Sequence, residues 1–370
     1  MDEAGGLRVV VDELGEDPED ALARCLRVEA MARPDPATLG PRDVLIAVES
    51  AQVGWVDLIM ASGQYQHAAK VPYTPGLEYA GRVVWRGDEA AARVQVGDDV
   101  LADGFATGPR SSGAHQAWGG FASWAVAPVE AVMPRPRGLT ADEAASLLGS
   151  YETAYHCLIA RGRVQAGEVV LVHGASGATG LAAVHVAKLL GATVIATGRS
   201  EAKLAEVARA GADHVLAVDV ASEAGQHAMR EAVRGLTSGR GVDVVYDGVG
   251  GPISVASLRC VRFGARYLIV GWAATPNVAR GKGQRGAPNA NVLPTNLIMM
   301  KGLDVLGCPT VISTVERPAI RGERLRWIME HVEAGRLRPL VTRVWPLAEV
   351  KDALRAKWRG EIVGAGVVRP

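Results

Sequence analysis

Two consecutive runs carry residues whose types and spacing suit the binding of phosphate groups. Residues 168–180 read EVVLVHGASGATG, an apolar run that breaks into glycines at 174, 177 and 180 and then opens a helical pattern. Gly174, Gly177 and Gly180 permit a tight turn, a close approach of backbone to a pyrophosphate, and tight packing of helix on strand. Ala175, Ser176, Ala178 and Thr179 complete the turn, and the helix start offers free N–H groups and the positive end of its dipole. The first glycine stands one residue earlier than in the strict G-x-G-x-x-G form, Ala175 occupying that place. The bland alternative is a glycine-rich strand-to-helix turn with no ligand. The second run, TVIATGRSEAK (193–203), decides which dinucleotide would fit. A site for NAD wants a carboxylate about twenty residues on to bind the ribose 2′-hydroxyl. Here that place is Gly198, followed by Arg199, Ser200 and, one helical turn on, Lys203. Two cations, and no acid at that place, favour the 2′-phosphate of NADPH. The competing reading makes Ser200 a helix N-cap and leaves the cations in solvent.

Such a turn needs a strand before it and a helix after it, and the surrounding chain supplies both repeatedly. Between 150 and 308, apolar runs at 168–173, 193–197, 214–218, 242–247, 266–271 and 303–307 alternate with helical patterns at 180–190, 201–210 and 223–237. That alternation predicts βαβ units and a parallel sheet. The first 150 residues differ. Short β-branched runs at 43–48, 81–85, 99–101 and 122–126 are punctuated by Pro, Gly and Asp, which predicts a compact sheet or partial barrel. After 308 come helices over 321–335 and 347–356 and strands over 340–344 and 361–368. The segment 273–294 has no periodicity and holds Arg280, Lys282 and Arg285. It reads either as a solvated loop or as an attractor for an anionic substrate.

The whole-chain numbers narrow the function class. With 370 residues, 48% of them hydrophobic and 22% charged, the chain can build two or three packed domains. Forty basic residues balance forty acidic ones, which argues against a nucleic-acid or anionic-membrane partner. Four scattered cysteines form neither a disulfide framework nor a zinc knuckle and fit a reducing, cytoplasmic setting. The uncharged stretch 169–187 is 19 residues long, but its glycine cluster and two histidines make it strand, turn and helix, not a membrane span.

Taken in order, VGWVDLIMASGQYQ (53–66), TPGLEYAGRVV (74–84), GGFASWAVAP (119–128), ETAYHCL (152–158), the glycine turn, VDVVYDGVGG (242–251) and LPTNLIMMKGLDVLG (293–307) resemble the medium-chain dehydrogenase/reductase superfamily. Within it, the chain resembles the zinc-free quinone oxidoreductase (zeta-crystallin-like) branch. The resemblance spans nearly the whole chain. It implies an α/β protein with a Rossmann dinucleotide-binding domain and a GroES-like, partly open β-barrel catalytic domain. The implied division is residues 1–148 in the catalytic domain, 149–308 in the NADPH-binding domain, and a return to the catalytic domain over 309–370. A cofactor in the cleft and a homodimer, with the strand near 303–307 pairing across subunits, are implied as well.

The resemblance also assigns residues. Zinc alcohol dehydrogenases of this superfamily hold their catalytic metal with Cys, His and Cys. The matching positions here are Gly54, Leu77 and Ser150, none a soft ligand, so no metal is expected. What remains is hydride transfer to a polarised quinone, enone or enoyl thioester. Tyr65 stands where related enoyl-thioester reductases carry a catalytic tyrosine, and it is either the proton donor or an aromatic wall of the cleft. Trp55 and Tyr155 are placed in the substrate pocket, with His156 beside them. Thr153, Val270, Gly271 and Asn296 are placed near the nicotinamide. The leading expectation is an NADPH-dependent, zinc-independent reductase of quinones or α,β-unsaturated carbonyls. The alternatives are a CoA or carrier-protein enoyl-thioester reductase and a non-catalytic nucleotide-binding protein.

Overall fold

The computed structural model describes residues 5–65, 69–111, 113–274 and 291–370. The basic segment around Arg280, Lys282 and Arg285 therefore lies outside the described residues. The chain divides into two compact units, one containing residues 5–148 and 338–370, the other 149–274 and 291–337.

In the first unit one sheet runs in the order Val341–Pro346, Ala365–Arg369, Asp43–Gln52, Tyr79–Arg86, Asp99–Ala102 and Val132–Pro134, with Trp124–Pro128 also paired to Asp43–Gln52. The ten-residue strand Asp43–Gln52 is the hub, bonded antiparallel to three others. The alternation that marked 43–48 and 81–85 reports inward residues such as Val44, Ile46 and Val83, all essentially inaccessible. This sheet is the GroES-like barrel. A hairpin of Gly6–Val11 and Leu26–Met31, unanticipated from the pattern, joins it through bridges from Arg8 to Ala122 and from Val11 to Tyr73. The short helix Trp55–Ala61 follows the hub strand directly.

The second unit is a wholly parallel six-stranded sheet in the order His214–Ala217, Thr193–Gly198, Val169–Val172, Val242–Asp247, Val261–Ile269 and Asp304–Gly307. Counting along the chain this is third, second, first, fourth, fifth, sixth, the Rossmann order. The order reverses between Val169–Val172 and Val242–Asp247, so ligands are expected beyond the carboxyl ends of those strands. His173, just past the first of them, ties the layers together: Nδ1 meets the Thr197 hydroxyl at 2.8 Å and Nε2 the Ser257 hydroxyl at 2.6 Å.

Residues 309–337 stay with the second unit, so the chain returns to the first at 338 and not at 309. The reason is electrostatic and aromatic. The helix Ile320–Glu333 sends Arg321 and Arg324 onto Glu152, at 2.8 and 2.6 Å, and sets the Trp327 ring edge-on to Tyr155, 5.3 Å between centroids. Glu152 and Arg324 are each 1% exposed, and the Thr314 hydroxyl accepts a further bond from Arg324.

Two histidines of this unit are held neutral. Burial lowers both His156 and His185 to about 4 from the ordinary 6.5, with the Arg324, Arg161 and Arg317 charges adding to the effect on His156. The His185 ring also meets the Tyr151 hydroxyl at 2.7 Å. A depressed native value means that only the unfolded chain takes up these protons below pH 6.5. Stability present above that pH is then lost as pH falls toward 4, by about 2 kcal/mol per histidine at pH 5. Urea unfolding at pH 7 and pH 5 should show this loss in the wild-type protein. It should shrink in the His156→Asn, His185→Gln double variant; an equal loss in both proteins would refute the assignment.

Candidate functional site

The glycine turn lies at the switch point of the parallel sheet. The helix Ala178–Leu189 starts from Gly177, and no side chain caps its first turn, which leaves that end open to an anion. A Cβ on Gly180 would meet the Gly174 carbonyl oxygen at 2.3 Å, so only glycine lets the helix close on the turn. A Cβ on Gly177 would find nothing nearer than 3.5 Å. The lack of a side chain there serves no packing need, and it leaves the room a pyrophosphate requires. Ala175 is buried, while Ser176, Ala178 and Thr179 are half-buried along the same edge. These residues fit a dinucleotide.

The neighbouring strand ends at Gly198, and exposed Arg199 follows it. Ser200 is the N-cap of the helix Glu201–Arg209, its hydroxyl accepting from the Lys203 amide at 3.5 Å. The capping reading of Ser200 therefore holds in the structure. It does not compete with phosphate binding, since Arg199 and Lys203 still stand just past the end of that strand.

Asp247 closes the opposite side of the switch point, and the sequence pattern did not single it out. Its Oδ1 accepts from the amides of Val249 and Gly250, both at 2.9 Å, and its Oδ2 from the hydroxyls of Ser254 and Tyr267. The fully buried carboxylate thus fixes loop 248–251, whose Val249 side chain would lie 3.0 Å from a Cβ on Gly174. Val270 and Gly271 donate their amides to the Asp247 carbonyl, at 2.9 and 3.2 Å, and lie half-buried beside the loop. Asn296 is exposed on the helix Thr295–Lys301; the asparagine that reaches the loop is Asn291, whose Oδ1 accepts from the Gly251 amide at 3.3 Å. Thr153 spends its hydroxyl on the Gly149 carbonyl at 2.7 Å. Tyr155 is buried against Trp327, its hydroxyl 3.4 Å from Glu323. Burial and the Glu323 charge raise its titration.

In the first unit the side chains gather around the start of the helix Trp55–Ala61. Asp57 is 3% exposed and accepts from the amides of Gly54 at 3.1 Å and Gly76 at 3.0 Å. Burial pushes its carboxyl up to about 6, against those bonds and the nearby Arg110 charge. A Cβ on Gly54 would sit 2.5 Å from Asp57 Oδ2, so this bond excludes a larger residue there. Trp55 stacks on Trp358 with centroids 5.2 Å apart and an interplanar angle of 21°. Beside them Lys357 is lowered by burial, while Glu78 and Asp57 pull it the other way. Tyr65 is 7% exposed; burial raises its titration, and a hydrogen bond and charge from Arg110 oppose that rise.

A zinc ion of the dehydrogenase type does not fit this donor set. Gly54 and Leu77 bring no ligand atom from their side chains, and Ser150 offers only a hydroxyl. Among the described residues no group of three His, Cys, Asp or Glu side chains could hold a metal.

Comparisons with known proteins agree with this geometry. Residues 40–137 match the model of the alcohol dehydrogenase GroES-like domain, and residues 178–321 that of the zinc-binding dehydrogenases. The chain is 31% identical to the Bos taurus quinone oxidoreductase-like protein 2 over 334 residues, 90% of this chain and 85% of that one. It is 29% identical to the Homo sapiens quinone oxidoreductase, covering 87% of each. The solved structure of mycobacterial Rv1454c complexed with NADPH is similar over 99% of this chain and all of that one, with TM-score 0.77 and 26% identity. Two sequence models, a relative above 30% identity over most of its length, the Rossmann strand order and the barrel all lead to one conclusion: the chain belongs to the medium-chain dehydrogenase/reductase superfamily, in its quinone oxidoreductase branch.

Proposed function

We propose that this protein is an NADPH-dependent oxidoreductase that works without zinc on a quinone or an α,β-unsaturated carbonyl. The observation that carries the reading is the uncapped glycine turn at the switch point, together with Arg199 and Lys203 where an NAD site would place an acid. The mycobacterial relative Rv1454c, solved in complex with NADPH, supports the same cofactor. When bound, NADPH supplies the hydride. The second unit's part is then to hold the phosphates on the 178–189 helix start and to keep loop 248–251 fixed through Asp247. The first unit's part is to supply the proton that must follow. Tyr65 suits it: burial keeps the phenol protonated at neutral pH, ready for an enolate or hydroquinone oxyanion. Trp55, braced by Trp358, forms a rigid apolar face for the acceptor.

A buried tyrosine acid also favours a second reading, reduction of an enoyl thioester, because an enolate needs a carbon-directed proton donor. Steady-state oxidation of NADPH against a benzoquinone, a simple enone and crotonyl-CoA, with chelator throughout, separates the two. Turnover of quinone or enone supports the first reading; turnover of the CoA ester alone moves the assignment to the second. Turnover with none of them removes both.

The cofactor choice has its own test. Arg199→Ala should weaken NADPH by about tenfold or more and leave NADH unchanged, as expected for one charge-assisted contact to the 2′-phosphate. Equal losses for both cofactors, measured by fluorescence titration, would sink that assignment. A homodimer in the cytoplasm completes the proposal. The strand Asp304–Gly307 ends the six-stranded sheet and offers an edge for pairing, and the four cysteines are free thiols. Light scattering at the mass of one 38.8 kDa chain would remove the dimer.

A further inference from the structure

We propose that His173 is a positioning residue of the cofactor site: held as its Nε2–H tautomer, it fixes Thr197 and with it the strand end that carries Arg199, and so sets the preference for NADPH over NADH. The inference rests on Arg199 contacting the 2′-phosphate in the proposed function, and it adds a residue that neither the motifs nor the comparisons assign to cofactor choice.

His173 follows the strand Val169–Val172 and immediately precedes Gly174. It is 1% exposed, and its ring lies between two wholly buried hydroxyls, Thr197 at 2.8 Å from Nδ1 and Ser257 at 2.6 Å from Nε2. Each hydroxyl has one proton to give. Ser257 gives its own to the Ile253 carbonyl at 2.6 Å, so toward the ring its oxygen accepts, and Nε2 carries the hydrogen. Burial keeps the ring neutral, against the pull of the Asp247 charge, and a neutral imidazole has one N–H only. Nδ1 is then an acceptor, and the Thr197 hydroxyl donates to it. The other acceptor that this hydroxyl faces, the Val172 carbonyl at 3.5 Å, is too far for a good O–H bond. The chain of donors therefore runs one way, from Thr197 through the ring to Ser257 and on to Ile253.

Thr197 stands where the two proposed phosphate subsites meet. Its carbonyl accepts from the Ala175 amide of the glycine turn at 3.2 Å, and its hydroxyl donates to the residue just before that turn. Gly198 comes next, its carbonyl taken by the Val218 amide at 2.9 Å, and then Arg199. A Cβ on Gly198 would come 3.2 Å from Leu204, so the strand end packs on the helix Glu201–Arg209 that carries Lys203. Freeing the Thr197 side chain lets this strand end shift, which moves Arg199 relative to the glycine turn while the pyrophosphate contacts stay in place. NADH has no 2′-phosphate and loses nothing by that shift. The Ser257 bond lies on the other side of the ring, on the helix Pro252–Ser257, where Asp247 already holds Ser254.

The test is the ratio of the NADH Kd to the NADPH Kd, from fluorescence titration, with thermal unfolding of each variant alongside. Thr197→Val keeps the branched shape and removes the donor; it should cut the ratio by about threefold to tenfold, the effect of one hydrogen bond. His173→Gln, whose amide N–H stands in for Nε2–H, keeps Ser257 and loses Thr197, and should cut the ratio similarly. His173→Asn, whose amide oxygen stands in for Nδ1, keeps Thr197 and should retain most of it. Ser257→Ala should lower thermal stability and leave the ratio unchanged. A ratio that falls alike in all four variants, as a general loosening of the core would give, or that falls in none, overturns the inference. Arg199→Ala separates the two claims. A fall in its ratio with none in Thr197→Val overturns the role of His173 alone, whereas no fall in Arg199→Ala removes the 2′-phosphate assignment and the inference with it. A measurement on the wild-type protein covers variants that fail to fold. With ¹⁵N-labelled histidine, the His173 ring, identified by its contacts with Thr197 and Ser257, should carry its proton on Nε2. A proton on Nδ1, or on both nitrogens at neutral pH, overturns the inference whatever the affinities.

Discussion

Tyr65→Phe should lower kcat by about 10²- to 10⁴-fold, the usual range for loss of a positioned proton donor. The change removes one oxygen from a buried ring and keeps the shape that packs among the barrel side chains, so the fold should survive it. Selectivity between parameters is the signature. On the proposed reading the second unit holds NADPH, so its Kd should not move, and an acid that acts only as charge develops should leave acceptor KM near wild type. Stopped-flow and steady-state rates on the same preparation check this. If kcat were unchanged, Tyr65 would be a wall of the pocket and the proton would come from elsewhere. If KM rose with kcat unchanged, the ring would be a binding contact only. Both outcomes differ clearly from the expected one.

Glu152→Gln should cost about 3–5 kcal/mol of stability, among the largest effects a single substitution can have. Glu152 neutralises two guanidiniums at once: Arg321 through both carboxylate oxygens, and Arg324, which is as inaccessible as Glu152 itself. Glutamine keeps nearly the same volume but loses the charge and one acceptor, so two cations are left in a low-dielectric interior. The contrast is Glu330→Gln, at an exposed pair with Arg336 3.7 Å away. That should change stability by less than about 1 kcal/mol. Chemical denaturation of both variants gives the comparison. Similar small effects would mean that the buried triad contributes no more than a surface pair.

The parallel sheet and its glycine turn were legible because their signals are local. Strand, turn and helix follow within about twenty residues, and the spacing of Gly174, Gly177 and Gly180 reads off directly as the open helix start seen in the structure. The barrel strands read well for the same reason, through alternation. Where alternation fails, the pattern misleads. The strand Val261–Ile269 is legible only from 266, because the pairing shifts register and Gly264 takes a positive φ of 69°, breaking the pattern over its first half. The Gly6–Val11 hairpin is hidden because acidic residues crowd the segment between its strands.

What was not legible is whatever depends on partners far apart in the chain. Glu152 meets Arg321 across 169 residues, and nothing in ETAYHCL announces it. That contact is also why the chain leaves the second unit at 338. Arg110 sits in a Gly- and Ser-rich stretch that reads as a plain loop, yet its side chain is held by the Gly104 carbonyl and the Phe105 ring. Asp247 stands in plain view within VDVVYDGVGG, at the end of a buried strand where a carboxylate can reach the following loop. Asn291, which the motifs do not single out, is likewise out of reach of local reading, its contact with the Gly251 amide spanning 40 residues.

Metal-independent reduction driven by NADPH is testable in a single turnover. The protein, saturated with NADPH in the presence of chelator, is mixed with an enone or a quinone while reduced-nicotinamide absorbance is followed. A rapid loss of one equivalent per site is expected, much slower with NADH at the same concentration. NADPH that binds tightly yet persists unoxidised through the acceptor panel, or oxidation that appears only when zinc is restored, would contradict it.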